Sequence, residues 1–336
     1  MTTKIRQMTK KLAVLSVSLM LAAGMLTGCG QAKAEQTTVR VGALKGPTSM
    51  GLLFLQEEAR NGESEGQYEF SMMTAADELL PLMVKGELDI ALLPANVAGV
   101  LYRKTNGGIT VIDINTLGVL YMVSGDTSIG SVEDLKGKTI YLTGKGTTPD
   151  YVLQYVLQEN GIAVGNADGG CTLEYKSEAT EVAAVLAENP DAIGLLPQPF
   201  VTAACMQNES LAVVLDMNEQ WEAVQGSAGS RLVTGVTVVR NEFLKENEAA
   251  VKTFLKEHQE SAQRINEDAA RGAQLAVEAG IVAKEPIALK AIPECNITYM
   301  DGSEMKQALS GYLQVLYDQN PEAVGGALPG DDFYYE

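Results

Sequence analysis

The sequence predicts an α/β protein of two similar halves, each built on a parallel sheet. Three observations carry that prediction. LLPAN (92–96) and LLPQP (195–199) each end an apolar run of the kind a strand buried on both faces requires. LKGPT (44–48) and GKGTT (144–148) stand at the matching earlier point of each half. Strand and helix patterns then alternate in one order through both halves, and such βαβαβα order demands parallel strands with right-handed crossovers.

In the first half, VRVGAL (39–44) is valine-rich and bounded by turn residues, hence a strand. Lys45–Ser49 leads into a helical stretch from Met50 to Gly62. YEFSMM (68–73) reads as the second strand, and ADELLPLMVKGE (76–87) as a helix that Pro81 can kink. LDIALLP (88–94) is the third strand, and ANVAGVLYRKTNG (95–107) a helix ending at glycine. The second half repeats this with KTIYLTG (138–144), the helix DYVLQYVLQENG (150–161), TLEYK (172–176), the helix EATEVAAVLAEN (178–189), AIGLLP (192–197) and the helix QPFVTAACMQN (198–208). Beyond it, RLVTGVTVV (231–239) is a strand before a long helix with the apolar stripe Val251, Phe254, Leu255, His258, Ala262 and Ile265. Shorter helices are expected from there to about 328.

The chain has 336 residues, 46% hydrophobic and 20% charged, which suits one large or two medium domains with a sizeable core. Its first 28 residues differ from the rest. Lys4, Arg6, Lys10 and Lys11 precede the apolar run LAVLSVSLMLAAGML and a small-residue end, the pattern of a secretory signal. The ending Leu26-Thr27-Gly28-Cys29 resembles the lipobox of bacterial lipoproteins, which implies cleavage before Cys29 and lipidation of its thiol. Residues 29–37 then form a lipidated tether, small and polar. Removing residues 1–28, which hold four basic and no acidic side chains, takes the formal charge from −18 to −22. That acidity argues against nucleic acid and against electrostatic adhesion to anionic lipid. Cys171, Cys205 and Cys295 follow Cys29 without CxxC spacing, so a metal cage is not expected; one disulfide and three small buried thiols both stay open.

SVEDLKGKTIYLTGKG (131–146), TGVTVVRNEFLKENEAAVKTFLK (234–256) and MVKGELDIALLP (83–94) together resemble the solute-binding proteins of ABC importers, in the group that serves sulfonates, nitrate, taurine and thiamine-pyrimidine precursors. The resemblance implies a type II periplasmic-binding-protein architecture: two Rossmann-like lobes joined by two crossing strands. It places lobe I at 38–120 plus 236–336, lobe II at 121–235, and the crossings at 117–125 and 231–239. It implies a monomeric receptor, lipid-anchored on the extracytoplasmic face of the cell membrane, with a small-molecule ligand and ABC permease subunits as partners and with no cofactor.

Ligands of parallel α/β sheets collect beyond the carboxyl ends of the strands. The loops there at 45–49 and 145–149 offer glycine for close approach, hydroxyls, and helix starts that favour negative charge. Lys45, Gly46, Thr48 and Ser49 on one side, and Gly146, Thr147 and Thr148 on the other, are the expected ligand contacts, with Lys145 as an added charge. The alternative for each hydroxyl is capping of its own helix. Thr74, Asn96 and Gln198 follow other strands and are candidates to orient polar edges; Thr234 lies in the second crossing. Tyr121 and Trp221 are candidates to stack on a ring, the latter in a polar segment that reads as a flap. No catalytic residue is expected: His258 is the only histidine and sits on an apolar stripe. Two other readings stay open, an enzyme of vitamin-precursor metabolism on the same fold and a surface sensor or adhesin.

Overall fold

The computed structural model describes residues 37–165, 169–226 and 229–336. The signal, Cys29 and most of the tether lie outside the described residues. The body, Thr38–Glu336, is organised around two sheets.

The first sheet begins with β1 (Thr38–Leu44), followed by α1 (Pro47–Met50), α2 (Leu53–Asn61), β2 (Gln67–Met73), α3 (Ala76–Lys85), β3 (Ile90–Pro94), α4 (Ala95–Lys104) and β4 (Ile109–Leu117). The second holds β5 (Leu120–Ser124), β6 (Thr139–Thr143), α5 (Thr148–Glu159), β7 (Thr172–Lys176), α6 (Ala179–Glu188), β8 (Ile193–Pro197), α7 (Phe200–Gln207), β9 (Ala212–Asp216) and α8 (Met217–Gln225). The chain returns to the first with β10 (Val233–Arg240), α9 (Asn241–Glu246), α10 (Glu248–Glu267), α11 (Ala269–Glu278), α12 (Glu285–Ala291), β11 (Ile297–Met300) and α13 (Gly302–Gln319).

Strand order is β11-β4-β10-β3-β1-β2 in one sheet and β7-β6-β8-β5-β9 in the other. Each has a parallel nucleus of the three expected strands, β2-β1-β3 and β7-β6-β8. Antiparallel strands extend both nuclei, so the sheets are mixed rather than purely parallel. The strand after 231 lies wholly in the first sheet, between β3 and β4. The passages between sheets shrink to Gly118-Val119 and the link from Gln225 to Val233.

Side-chain burial explains the central strands. Ile90–Leu93 and Ile193–Leu196 are buried without alternation, because helices cover both faces. Below β3, buried Asp89 accepts from the backbone N–H and guanidinium of Arg40 and from Arg240, which clamps β1, β3 and β10 at one end. Pro81 sits inside α3, which runs on as one helix to Lys85.

Three strands escaped the sequence reading. β9 and β11 are short, and β4 is studded with Asp113, Asn115 and Thr116, which look like loop residues until their partners are known. The region after 269 is not only short helices, since α13 runs for 18 residues. It packs on α4, β4 and β10 of the first sheet and on α5 of the second, which makes it a strap across both.

Candidate functional site

The strand exits of the two sheets are tied together through the end of α13. Asn96, in the first turn after β3, donates from Nδ2 to Ala323 O at 3.5 Å. Asn320 Nδ2 donates to the Tyr151 hydroxyl at 2.7 Å and Gln319 Nε2 to Tyr151 O at 3.0 Å, in the first turn after β6. Segment 319–323 therefore joins the LLPAN exit to the GKGTT exit. At the LLPQP exit, Gln198 and Tyr121 line a cavity of about 570 Å³ together with Lys290 and Glu294.

At the first sheet, Gly46 has φ 156° and ψ −171°, a backbone state open to glycine, as it caps α1. Ser49 Oγ donates to Gly46 O at 3.0 Å, so this hydroxyl serves its own turn rather than a ligand. Thr48 is buried over Gly235, where a Cβ would stand 2.5 Å from Thr48 Cγ2 and 2.4 Å from Asn115 Oδ1. Gly235 pairs with Pro94, so Thr48 and Asn115 meet at the exit of β3 because position 235 has no side chain. Thr234 is the bulged residue beside it in β10. Lys45 is exposed, with Nζ near Gly280.

At the second sheet, the expectation for loop 145–149 needs correction. Buried Asp150 accepts from Gly146 N–H at 2.7 Å, from Gln154 at 2.6 Å and from the Tyr175 hydroxyl at 2.7 Å. The chain's own carboxylate thus takes the N–H expected to meet an anion. Thr147 Oγ1 donates to Gly144 O at 2.6 Å, a local turn bond, and Lys145 stands 5.3 Å over the Tyr175 ring. Burial raises the pKa of the Tyr312 phenol of α13, and Thr148 beside it opposes that rise.

Other expected contacts are also taken by the chain. Thr74 donates from both N–H and hydroxyl to Glu78, which lowers the Glu78 pKa and ties Thr74 to the first turn of α3. Gln198 Oε1 accepts from the Thr202 hydroxyl at 2.8 Å, and the two are linked over the start of α7. Tyr121 is not a free stacking surface: it is buried, and its hydroxyl donates to Glu294 O at 2.7 Å. Trp221 lies in α8, not in a flap, fully buried with its ring 4.9 Å from Tyr155 and 5.6 Å from Tyr312. Its faces are occupied, so stacking on a ligand is ruled out for this arrangement.

One polar chain was missed. Thr116 Oγ1 donates to Asn115 Oδ1 at 2.9 Å, Asn115 Nδ2 to Thr237 Oγ1 at 3.1 Å, and Thr237 Oγ1 to Asp113 Oδ1 at 2.8 Å. Asp113 Oδ2 then meets His258 Nδ1 at 3.2 Å, with both side chains wholly buried. The chain runs beneath Thr48 and explains how polar residues live inside β4. It also gives His258 a structural partner in the interior.

Solved structures place this arrangement. An ABC transporter protein from Parabacteroides distasonis superposes with a TM-score of 0.74 at 24% identity, covering 90% of this chain and 99% of that one. The periplasmic aliphatic sulphonate binding protein SsuA from Escherichia coli gives 0.68 at 14% identity, covering 89% and 92%. The fold is that of the type II periplasmic binding proteins. A third match, the ligand-binding component of an ABC-type import system from Staphylococcus aureus with zinc bound, gives 0.64 at 13% identity, covering 89% and 97%. No protein-family model and no curated protein matches the sequence. Among the described residues of this periplasmic-binding-protein fold, no group of three or more His, Cys, Asp or Glu could hold a metal. Cys171, Cys205 and Cys295 are free thiols, and burial pushes Cys295 up to about 12.

Proposed function

We propose that this protein is an extracytoplasmic solute-binding lipoprotein. It captures a small organic solute, an anion by preference, between two lobes and hands it to an ABC importer. The lobes, drawn by sheet, are residues 38–117 with 233–336, and 120–225. The observation that carries the reading is likeness across about nine-tenths of the chain to ABC transport proteins, one named as the ligand-binding component of an import system and one for aliphatic sulphonates. The strand-exit geometry supports it: Thr48, Asn96 and Thr148 stand where two sheets end and one strap joins them. Burial of His258 against Asp113 weakens the enzyme reading, because the one imidazole is shut away from every strand exit. Calorimetric titration with linear alkanesulfonates, taurine and pyrimidine precursors tests the proposal. Saturable one-to-one binding by a member of this panel is expected, and catalytic turnover of the bound compound would replace the receptor with an enzyme.

A further inference from the structure

The cavity at the exit of β8 carries charge on both walls, and its chemistry deepens the receptor reading, on which this inference rests. Its volume is about 570 Å³. One wall comes from elements of the second sheet: Tyr121 of β5, Gln198 after β8, Cys205 of α7 and Asp216 at the end of β9. The other holds Lys290 of α12 and Glu294 in the turn that follows. That segment belongs with the first sheet, since Ala288, Ala291 and Ile292 share a core with Met50 and Ile265.

Gln198 is the buried polar group on this cavity, at 3% exposure. Its Oε1 accepts from the N–H and the hydroxyl of Thr202, at 3.3 and 2.8 Å, which fixes that end of the amide as the oxygen. Nε2 is left to donate, and it has no partner among the described residues. A buried amide donor calls for an acceptor, and an oxygen of the solute can supply it. The acids call for the opposite charge. Asp216 Oδ1 accepts from the Asn218 N–H at 2.8 Å, and neither Asp216 nor Glu294 has a salt-bridge partner among the described residues. Desolvation first, then Glu219 and Glu294, raise the pKa of Asp216, so the two carboxylates feel each other across the cavity. An ammonium between them turns that repulsion into attraction.

We propose that this cavity holds a zwitterionic solute: a short aliphatic chain with an ammonium at one end and a carboxylate or sulfonate at the other. Asp216 and Glu294 take the ammonium from opposite walls. Gln198 Nε2 and Lys290 take the oxyanion, again one from each wall. Each end of the solute then bridges second-sheet and first-sheet elements, which is the differential contact that closure needs.

Two matched pairs of probes separate the ammonium from the oxyanion: taurine with ethanesulfonate, and β-alanine with propionate. Calorimetry on the full chain is expected to show at least one amino compound binding about tenfold or more tighter than its amine-free partner. Asp216→Asn and Glu294→Gln are each expected to weaken that amino compound about tenfold and to leave its partner unchanged or tighter. Cys205 is a free thiol on the cavity wall, whereas Cys171 and Cys295 are buried. The bound amino compound is expected to slow its modification by methyl methanethiosulfonate, read on the Cys205 peptide by mass spectrometry. Equal affinities within both pairs, binding that leaves Cys205 modification unslowed, or binding by a pyrimidine precursor alone overturns this site and leaves the receptor reading intact. No binding by these probes or by the alkanesulfonate and pyrimidine panel overturns both.

Discussion

Asp89 illustrates how one side chain is set by competing forces. Burial alone pushes its carboxyl up, but the hydrogen bonds from Arg40 and Arg240 outweigh burial and hold it below the usual carboxylate range. A depressed native pKa contributes stability that is complete above about pH 4 and is lost as pH falls through the native value. Asp89→Asn is expected to destabilise the protein by about 3 kcal/mol at neutral pH, because two arginines lose their buried partner. Urea unfolding across pH checks both size and sign: the variant's deficit shrinks in acid. Asp216 runs the other way. Desolvation, with Glu219 and Glu294 nearby, raises its pKa, so the ionised form at neutral pH burdens the native state and protonation relieves it. Asp216→Asn is therefore expected to raise the melting temperature at pH 7, with the gain fading as pH falls through the raised native value. At Gly235 the constraint is space. Gly235→Ala puts a methyl into Thr48 and Asn115, which costs about 1–3 kcal/mol by overpacking. On the receptor reading it also weakens solute binding, read by thermal melts and titration side by side.

Elements differ in how openly the sequence announces them. TLEYK is a strand over the same five residues that the sequence predicts, and the other five nuclear strands agree within about two residues. These are local signals. β4 was illegible because its polar residues are satisfied from far away, Asp113 by His258 of α10 and Asn115 by Thr237 of β10. The candidate site was legible as a set of strand exits but not as a set of free donors. Thr74 is spent on Glu78 four residues on, and Ser49 on Gly46 three residues back, each a bond within its own turn. Trp221 and Tyr312 meet through the packing of α8 and α13, and no spacing rule links residues 221 and 312.

At the scale of the whole molecule, α13 sets what can move. Its end and the turn that follows hold the first turn of α5 through Gln319 and Asn320, and that of α4 through Ala323. At the exit of β8, Gln198 and Glu294 line a shared cavity. Membrane attachment belongs to this scale too. No helix among the described residues is long and apolar enough to cross a membrane, so the proposed anchor rests on Cys29. Cys29→Ala is expected to shift the protein from the membrane to the soluble fraction on cell fractionation, with solute affinity unchanged.

Solute-driven closure is the central claim, and small-angle X-ray scattering with and without a bound alkanesulfonate measures it. The account predicts a smaller radius of gyration in the bound state, as two lobes shut on their cargo. An identical scattering curve at saturating solute would contradict it.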